Sequence, residues 1–440
     1  MHRTRTSESA WGNGRLRPGA AHEPRAAPAR GRVSHGPESA APGRAAAVHL
    51  VDADVPGAVR EVLRGVLGER VRECAALDAT FAADVAERVA DFTLGGGKRL
   101  RAQFLWWGLR SCTGGLRPGA ADTALRLAAG LELIQTCALV HDDLMDGSPV
   151  RRGRPALHVV LGARHDGAGA AGPGEPFGRA AAVLAGDLAL SWADDVVAEA
   201  WDASSVSGEV RTRVRALWRA MRTEMVAGQY LDLHGQVSGS RAVGAAIRTA
   251  TLKSALYSVE RPLALGAALA GADQRTTGAL CSAGRCAGIA FQLRDDLLGA
   301  FGDPRETGKP AGDDLRDGKL TYLTAVARAR AEASGDRAAA ALLDRCLGNP
   351  SLGDEGVERV REVLVETGAR DVTEAKISRL VAVAHRHLAS APLLPDAQAR
   401  LRELTGAVAA PPVPAAGAAR PAGGGPQPAE HDEEGVRWAR

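Results

Sequence analysis

The stretch ALVHDDLMDGSPVRRGRP, residues 138–155, decides the fold class and opens the functional reading. An apolar run with helical periodicity ends in Asp142, Asp143 and Asp146, and two consecutive arginines, Arg151 and Arg152, follow a Gly/Pro turn. On a helix Asp142 and Asp146 lie one turn apart on one face, where their carboxylates can converge on a hard cation. Three acids within five residues repel one another and sit badly against the negative end of a helix dipole. Mg²⁺ takes a few carboxylates, waters and phosphate oxygens, so the array suits a metal-bridged diphosphate. An exposed acidic helix end explains the same residues about as well when they are taken alone.

A second segment tips the balance. FQLRDDLLGAFGDPRETGKPAGDDLRDGKLTY, residues 291–322, places Asp295 and Asp296 after another apolar helix, with Lys309 and Lys319 downstream. Two aspartate pairs on helices, each followed by cations in a Gly/Pro loop, can face each other across a bundle and clamp one polyanion through metals. A third segment, GGGKRLRAQF at 95–104, sets flexible glycines before a helix expected to begin near Lys98 and to carry Arg101. Glycines let backbone N–H groups approach phosphate oxygens, and the helix N-terminus adds positive potential. It is not a nucleotide P-loop, because the GxxxxGK[ST] spacing is absent.

Outward from these segments the chain reads as helix. From Pro56 to about Leu404, Ala, Leu, Val, Arg and Glu dominate with apolar residues at helical spacing, as in Val59, Val62, Leu63, Val66 and Leu67. Aromatic residues make up only 4% and alternating β-branched runs are lacking, so an all-α fold is expected. Breakers divide it at Gly95–Gly97, Gly114–Pro118, Gly147–Pro155, Gly162–Gly178, Gly235–Gly239 and Gly302–Gly318, the fourth read as a lengthened, mobile surface loop.

The 440 residues partition into a basic tail at 1–45, a helical domain at 46–407, and an Ala/Pro/Gly-rich tail at 408–440. A net charge of +3, with cations spaced among acids, gives no sign of a nucleic-acid partner. Cys74, Cys112, Cys137, Cys281, Cys286 and Cys346 form neither zinc spacing nor a compact disulfide framework, and are expected to be reduced. No signal-peptide core follows the start, and the longest apolar stretch, Leu263–Ala272, is too short for a bilayer, so a cytoplasmic protein without stable membrane insertion is expected.

Together these segments resemble the trans-prenyl diphosphate synthases, the isoprenoid chain-elongating family. The resemblance covers roughly Val55–Leu404 and rests on GGGKRLR, LVHDDLMD, RRGRP, AGD (185–187), GQYLD (228–232), LKSALY (252–257), FQLRDD and GKPAGDD. It implies a single large helical bundle with a central substrate cavity, usually a homodimer, that condenses an allylic prenyl diphosphate with isopentenyl diphosphate head to tail and releases diphosphate. It assigns Asp142, Asp146 and Asp295 to three Mg²⁺ ions, supported by Asp143 and Asp296. Arg151, Lys253 and Lys309 would hold the allylic diphosphate, with Ser254, Gln292 and Lys319 as further pocket positions. Gly97, Lys98, Arg101, Gln135 and Arg152 would bind isopentenyl diphosphate. Small residues at Cys137 and Ala138, where a Phe or Tyr would stop growth, with Ile134 and Leu131 as a deeper floor, imply a C20 geranylgeranyl product. A C25–C35 polyprenyl product and a non-catalytic subunit of a heteromeric synthase are the alternatives. The second aspartate motif departs from the family at Gly299, where its third acid is missing. A terpene cyclase is disfavoured, since the only asparagines are Asn13 and Asn349 and neither sits in a motif.

Overall fold

The computed structural model describes residues 48–113, 116, 119–164, 174–202, 206–239, 241–303 and 312–410. The N-terminal tail and residues 411–440 lie outside these, as does Lys309. Of the expected C-terminal tail, Val408, Ala409 and Ala410 are described, the first two buried and the third exposed.

Helix α1 (Val55–Leu77) begins where Asp54 caps the N–H of Gly57 at 2.9 Å with Pro56 in the first turn. A short helix (Ala79–Phe81) and a π-helical turn (Ala82–Ala86) lead into α2 (Glu87–Leu94), and α3 (Leu100–Cys112) and α4 (Ala120–Met145) follow. Two-residue strands β1 (Val150–Arg151) and β2 (Arg154–Pro155) pair antiparallel. Then come α5 (Leu157–Ala163), α6 (Gly174–Asp202), α7 (Gly208–Ser238) and α8 (Val243–Ala250). A π-helical segment (Thr251–Glu260) continues into α9 (Arg261–Ala270), and α10 (Gln274–Phe301) and α11 (Asp313–Arg316) complete the site-bearing part. Helices α12 (Tyr322–Ser334), α13 (Arg337–Cys346), α14 (Asp354–Glu366), α15 (Ala369–Ala389) and α16 (Pro395–Ala407) close the bundle.

The fold is all-α, as the helical periodicity predicts. Helix α4 is its axis: Leu127, Leu131, Leu133 and Ile134 are fully buried, and α6 packs along it. Helix α3 packs on α9, and the π-helical segment lies between α7 and α10. One apolar cluster joins α1 to α9 and the first half of α10, and a second joins the end of α10 to α12, α14 and α15. Helix α4 is long and apolar enough to cross a bilayer, unlike the shorter stretch that the sequence singles out, yet 72% of its most apolar window is buried inside the bundle. Fully embedded helices in a large core share the composition of spanning helices.

Two expected breaks differ from the structure. Gly162 lies in α5, and Gly174 and Gly178 lie in α6, so the lengthened loop shrinks to a connection whose residues 165–173 lie outside those described. These glycines serve packing instead: a Cβ on Gly178 would stand 2.2 Å from the carbonyl of His158 and 2.6 Å from the nitrogen of Gly162. Likewise Gly235 is helical, and α7 ends only at Gly239, whose φ of 60° caps it.

Candidate active site

The three acids of the first segment occupy the last turn of α4, with Asp146 as its C-cap. Their poor fit to the helix dipole is answered by cations from three separate elements. Arg151 on β1 reaches Asp142 at 3.0 Å and Asp143 at 2.7 Å. Lys253 on the π-helical segment reaches Asp142 at 3.0 Å and Asp232 of α7 at 2.6 Å. Lys319 reaches Asp146 at 2.7 Å and Asp314 at 3.2 Å. Burial pushes the Asp142 carboxyl up, but Lys253, Arg151 and Lys319 together outweigh it and hold that carboxyl well below the usual range. Burial pulls Lys319 down, and Asp314 foremost, then Asp146, drive it above the ordinary lysine value.

The residue pair Arg151–Arg152 divides between two directions because of the turn that holds it. Arg152 and Gly153 both have positive φ, 53° and 70°, as a type I′ hairpin turn requires. A non-glycine residue in the left-handed region costs about 1 kcal/mol or more, a strain typical of functional sites. Arg151 turns to the aspartates, whereas the guanidinium of Arg152 lies against Gly96 and Gly97, within 3.3 Å of where their Cβ atoms would stand. Arg152 lies in a cationic neighbourhood: burial lowers its pKa, Glu132 opposes that, and Arg151, Arg101 and Arg99 lower it further.

Arg101 completes this second site. Its guanidinium stacks 4.2 Å over the ring of Tyr257 and donates to Ser258 at 2.7 Å. The Tyr257 hydroxyl donates to the Gln135 carbonyl at 2.7 Å, which fixes the one polar side chain two turns above Asp142 on its own face. Helix α3 begins at Leu100, two residues later than expected, because Arg99 takes a left-handed φ of 47°. That conformation buries Arg99, which donates to Glu132 at 3.0 Å and to the carbonyl of Thr93 at 3.2 Å, tying the glycine loop to α4.

The π-helical segment that carries Lys253 is held by close backbone contact. A Cβ on Gly228 would stand 2.2 Å from the nitrogen and 2.4 Å from the Cα of Lys253. Ser254 is buried on the same segment. Gln292 of α10 donates to Asp296 at 2.9 Å. Asp296 is buried, and desolvation raises its carboxyl to about 8 despite that bond. Asp295, one residue earlier, is half-buried on α10.

Leu131, Ile134 and Cys137 are buried on α4, and Ala138 is half-buried. Burial pushes the Cys137 thiol up to about 12. His141 donates from Nε2 to the carbonyl of Val183 at 3.1 Å, which leaves Nδ1 to accept from Cys137 at 3.7 Å. Its ring fills the space over Gly186, where a Cβ would stand 2.0 Å from Nε2.

All predicted residues other than Lys309 are described, and the structure groups Asp142, Asp143, Asp146, Arg151, Lys253 and Lys319 on one side of the hairpin and Gly97, Arg101, Gln135 and Arg152 on the other. Sequence reasoning missed Gln229, whose amide lies 3.3 Å from Asp142, as well as Asp232, Tyr257, Ser258 and the Arg99–Glu132 pair. Gln229, Asp232 and Tyr257 stand inside GQYLD and LKSALY, so the motifs marked them without showing their partners.

The donor set fits magnesium. Among the described residues no three His, Cys, Asp or Glu side chains form a ready cage, and Mg²⁺ itself takes few carboxylates beside waters and phosphate oxygens. Oδ1 of Asp146 is buried without a hydrogen-bond partner, although Oδ2 is on Lys319. A buried carboxylate oxygen left idle costs about 1–3 kcal/mol, and a hard cation would relieve it.

The family model described as Polyprenyl synthetase matches residues 83–364. The geranylfarnesyl diphosphate synthase of Aeropyrum pernix is 32% identical over 307 residues, 69% of this chain and 86% of that protein. The (2E,6E)-farnesyl diphosphate synthase of Mycobacterium tuberculosis H37Rv is 34% identical over 259 residues, 59% of this chain and 66% of that protein. Among solved structures, geranylgeranyl pyrophosphate synthase from Corynebacterium glutamicum, complexed with isoprenyl diphosphate and magnesium, superposes with a TM-score of 0.73. It is 37% identical, and the match spans 80% of this chain and 98% of that one.

Proposed function

Because the chain belongs to the polyprenyl synthetase family and is a prenyltransferase, we propose that it joins an allylic prenyl diphosphate to isopentenyl diphosphate head to tail, with geranylgeranyl diphosphate as its product. The observation that carries this reading is the split of the two arginines: one cationic site faces the aspartates and a second faces the glycine loop, with the hairpin between them. Two diphosphates can then be held side by side. On this reading Asp142, Asp146 and Asp295 hold Mg²⁺, three ions in all, with Asp143 and Asp296 supporting them. When bound, the ions supply positive charge that stabilises the diphosphate as its C–O bond breaks.

The chain's own residues do the rest. Arg151, Lys253 and Lys319, with Lys309, receive the leaving diphosphate, and Ser254 and Gln292 line the same pocket. Gly97, Lys98, Arg101, Gln135 and Arg152 hold the second substrate. The apolar wall around Cys137 and Ala138 keeps water from the allylic cation. His141 is engaged at both nitrogens, and burial raises the Tyr257 phenol above its ordinary value, so neither is a suited base. The released diphosphate is the remaining acceptor for the proton.

Small side chains at Cys137 and Ala138 over the buried Ile134 and Leu131 support a C20 product. The Aeropyrum relative, named for a C25 product, favours a longer chain as the second reading. Exposed Phe177, Val183 and Leu184 on the outer face of α6 support a homodimer, and a cytoplasmic location completes the reading. Incubation with isopentenyl diphosphate and dimethylallyl, geranyl or farnesyl diphosphate, followed by sizing of the dephosphorylated products, tests it. A C20 main product is expected. Absence of any elongated product would overturn elongation, and a C15 stop would overturn the length assignment.

A further inference from the structure

Arg294 directly precedes the aspartate pair of α10, and the elongation reaction gives it no task. At about 100° per residue it lies roughly 200° around the helix from both Gln292 and Asp296, on the opposite face of the same turn. There it is buried. Its Nη1 and Nη2 donate to the two carboxylate oxygens of Glu374 on α15 at 2.7 and 2.6 Å, and its Nε donates to the Ala409 carbonyl at 3.0 Å. A guanidinium forked on a carboxylate fixes an orientation as well as a distance.

Both anchors are themselves held. Helix α15, which carries Glu374, packs along α10. Ala409 follows α16, and that helix is stitched to its neighbours: the Leu394 N–H donates to the Ser111 carbonyl of α3 at 2.9 Å, and the Gln398 amide donates to the Leu388 carbonyl of α15 at 2.7 Å. Val408 then packs into the first apolar cluster and Ala409 into the second. A buried ion pair is weak evidence of stability, because apolar residues of similar volume often serve as well. What the fork supplies and an apolar contact does not is a fixed rotation of α10. A carboxylate stands about 5–6 Å from the helix axis, so turning α10 by about 10° moves it by about 1 Å. At a positioning group such a shift costs about 10²-fold in rate.

We propose that Arg294 is a positioning residue for the second aspartate motif: clamped by Glu374 and by the Ala409 carbonyl, it sets the rotation of α10 that aims Asp295 at the metal-bound diphosphate. This rests on the elongation reading, in which Asp295 holds Mg²⁺. Two consequences separate it from an ion pair that only stabilises the bundle. Arg294 acts through Asp295, so its loss should matter little once Asp295 is gone. Its effect should also fall on one substrate, because the residues assigned to isopentenyl diphosphate stand on the glycine loop, α3, α4 and the hairpin and none stands on α10.

The test is calorimetric binding of inorganic diphosphate in excess Mg²⁺ to the full chain and to Arg294→Met, Asp295→Ala and the double variant. Urea midpoints and the KM for each substrate are measured alongside. Arg294→Met keeps the length and apolar bulk of the side chain but not the fork, and should bind diphosphate about tenfold more weakly, a loss of about 1.4 kcal/mol. Its KM for the allylic substrate should rise by a similar factor while that for isopentenyl diphosphate stays within about twofold. In the Asp295→Ala background the same substitution should change diphosphate binding by less than about twofold, the non-additivity of a residue that works through another. Glu374→Gln loosens the fork from α15 with α10 unaltered, so it gives the same pattern at about threefold should Arg294→Met fail to fold. Wild-type diphosphate binding by a folded Arg294→Met or Glu374→Gln whose urea midpoint has fallen overturns the proposal, and so does an equal loss with and without Asp295. Because the binding readout needs no product, a wild type that elongates nothing while this cycle holds would count against the elongation reading alone.

Discussion

Gly228→Ala should uncouple Lys253 from the aspartates although the added methyl meets only its backbone and neither its ammonium nor the carboxylates. The new Cβ would lie 2.2 Å from the Lys253 nitrogen and 2.6 Å from the Leu252 carbonyl carbon, both backbone atoms that cannot rotate away. Ordinary contact begins at about 3.5 Å, so α7 and the π-helical segment must part by roughly 1.3 Å. Lys253 Nζ now lies 3.0 Å from Asp142 and 2.6 Å from Asp232, and a shift of that size carries both out of hydrogen-bond range. Overpacking of this kind costs about 1–3 kcal/mol. A misplacement of about 1 Å at a positioning group costs about 10²-fold in rate. Gly235→Ala, two turns along α7, is the control, since its nearest neighbour would be Leu320 Cβ at an unstrained 3.7 Å. Urea unfolding and kcat/KM for the allylic substrate should separate the two variants clearly. If Gly228→Ala kept both values within twofold of wild type, the close backbone contact would not be what aims Lys253.

Arg152→Ala should mainly raise KM for isopentenyl diphosphate and Arg151→Ala should act on the allylic substrate, by about tenfold or more each as for a lost charged contact. Equal effects of both on one substrate in steady-state kinetics would contradict the opposed directions seen across the hairpin. Cys137→Phe should shorten the main product toward C15 without abolishing the first condensation, and an unmoved product distribution would remove residue 137 from length control. Glu132→Ala leaves the buried Arg99 without its carboxylate and should cost about 3–5 kcal/mol by urea titration, whereas a loss under 1 kcal/mol would show that the carbonyls of Thr93 and Leu94 suffice for it.

Much of this was legible in the residues because helical spacing and charge placement are local properties. Asp142 and Asp146 share a face for the same reason in the sequence as in the structure, and Gln135 could be put on that face by counting turns. The hairpin could not be read this way, since RRGRP adopts it through a left-handed arginine, a conformation that residue types alone disfavour. The supports of the cations were hidden for another reason. Asp232 lies 21 residues from Lys253, Tyr257 lies 122 from Gln135 and Lys319 lies 173 from Asp146, and no local pattern encodes such pairings. The glycines of α5 and α6 read as a loop in the sequence because a breaker and a close-packing residue look identical there; only the neighbouring backbone, here the His158 carbonyl, tells them apart.

On the proposed reading, Asp142 and Asp146 of α4, with the half-buried Asp295 of α10, grip a diphosphate only through a divalent cation. Calorimetric titration of inorganic diphosphate into the wild type and Asp146→Ala, each with excess Mg²⁺ or with chelator, measures this without requiring turnover. Tight binding by the wild type in Mg²⁺, at least about 10²-fold weaker binding in chelator, and a comparable loss in Asp146→Ala are expected from like-charge repulsion at short range. Equal affinity with and without Mg²⁺ would mean that Arg151, Lys253 and Lys319 hold the diphosphate unaided, and the account of the site would be wrong.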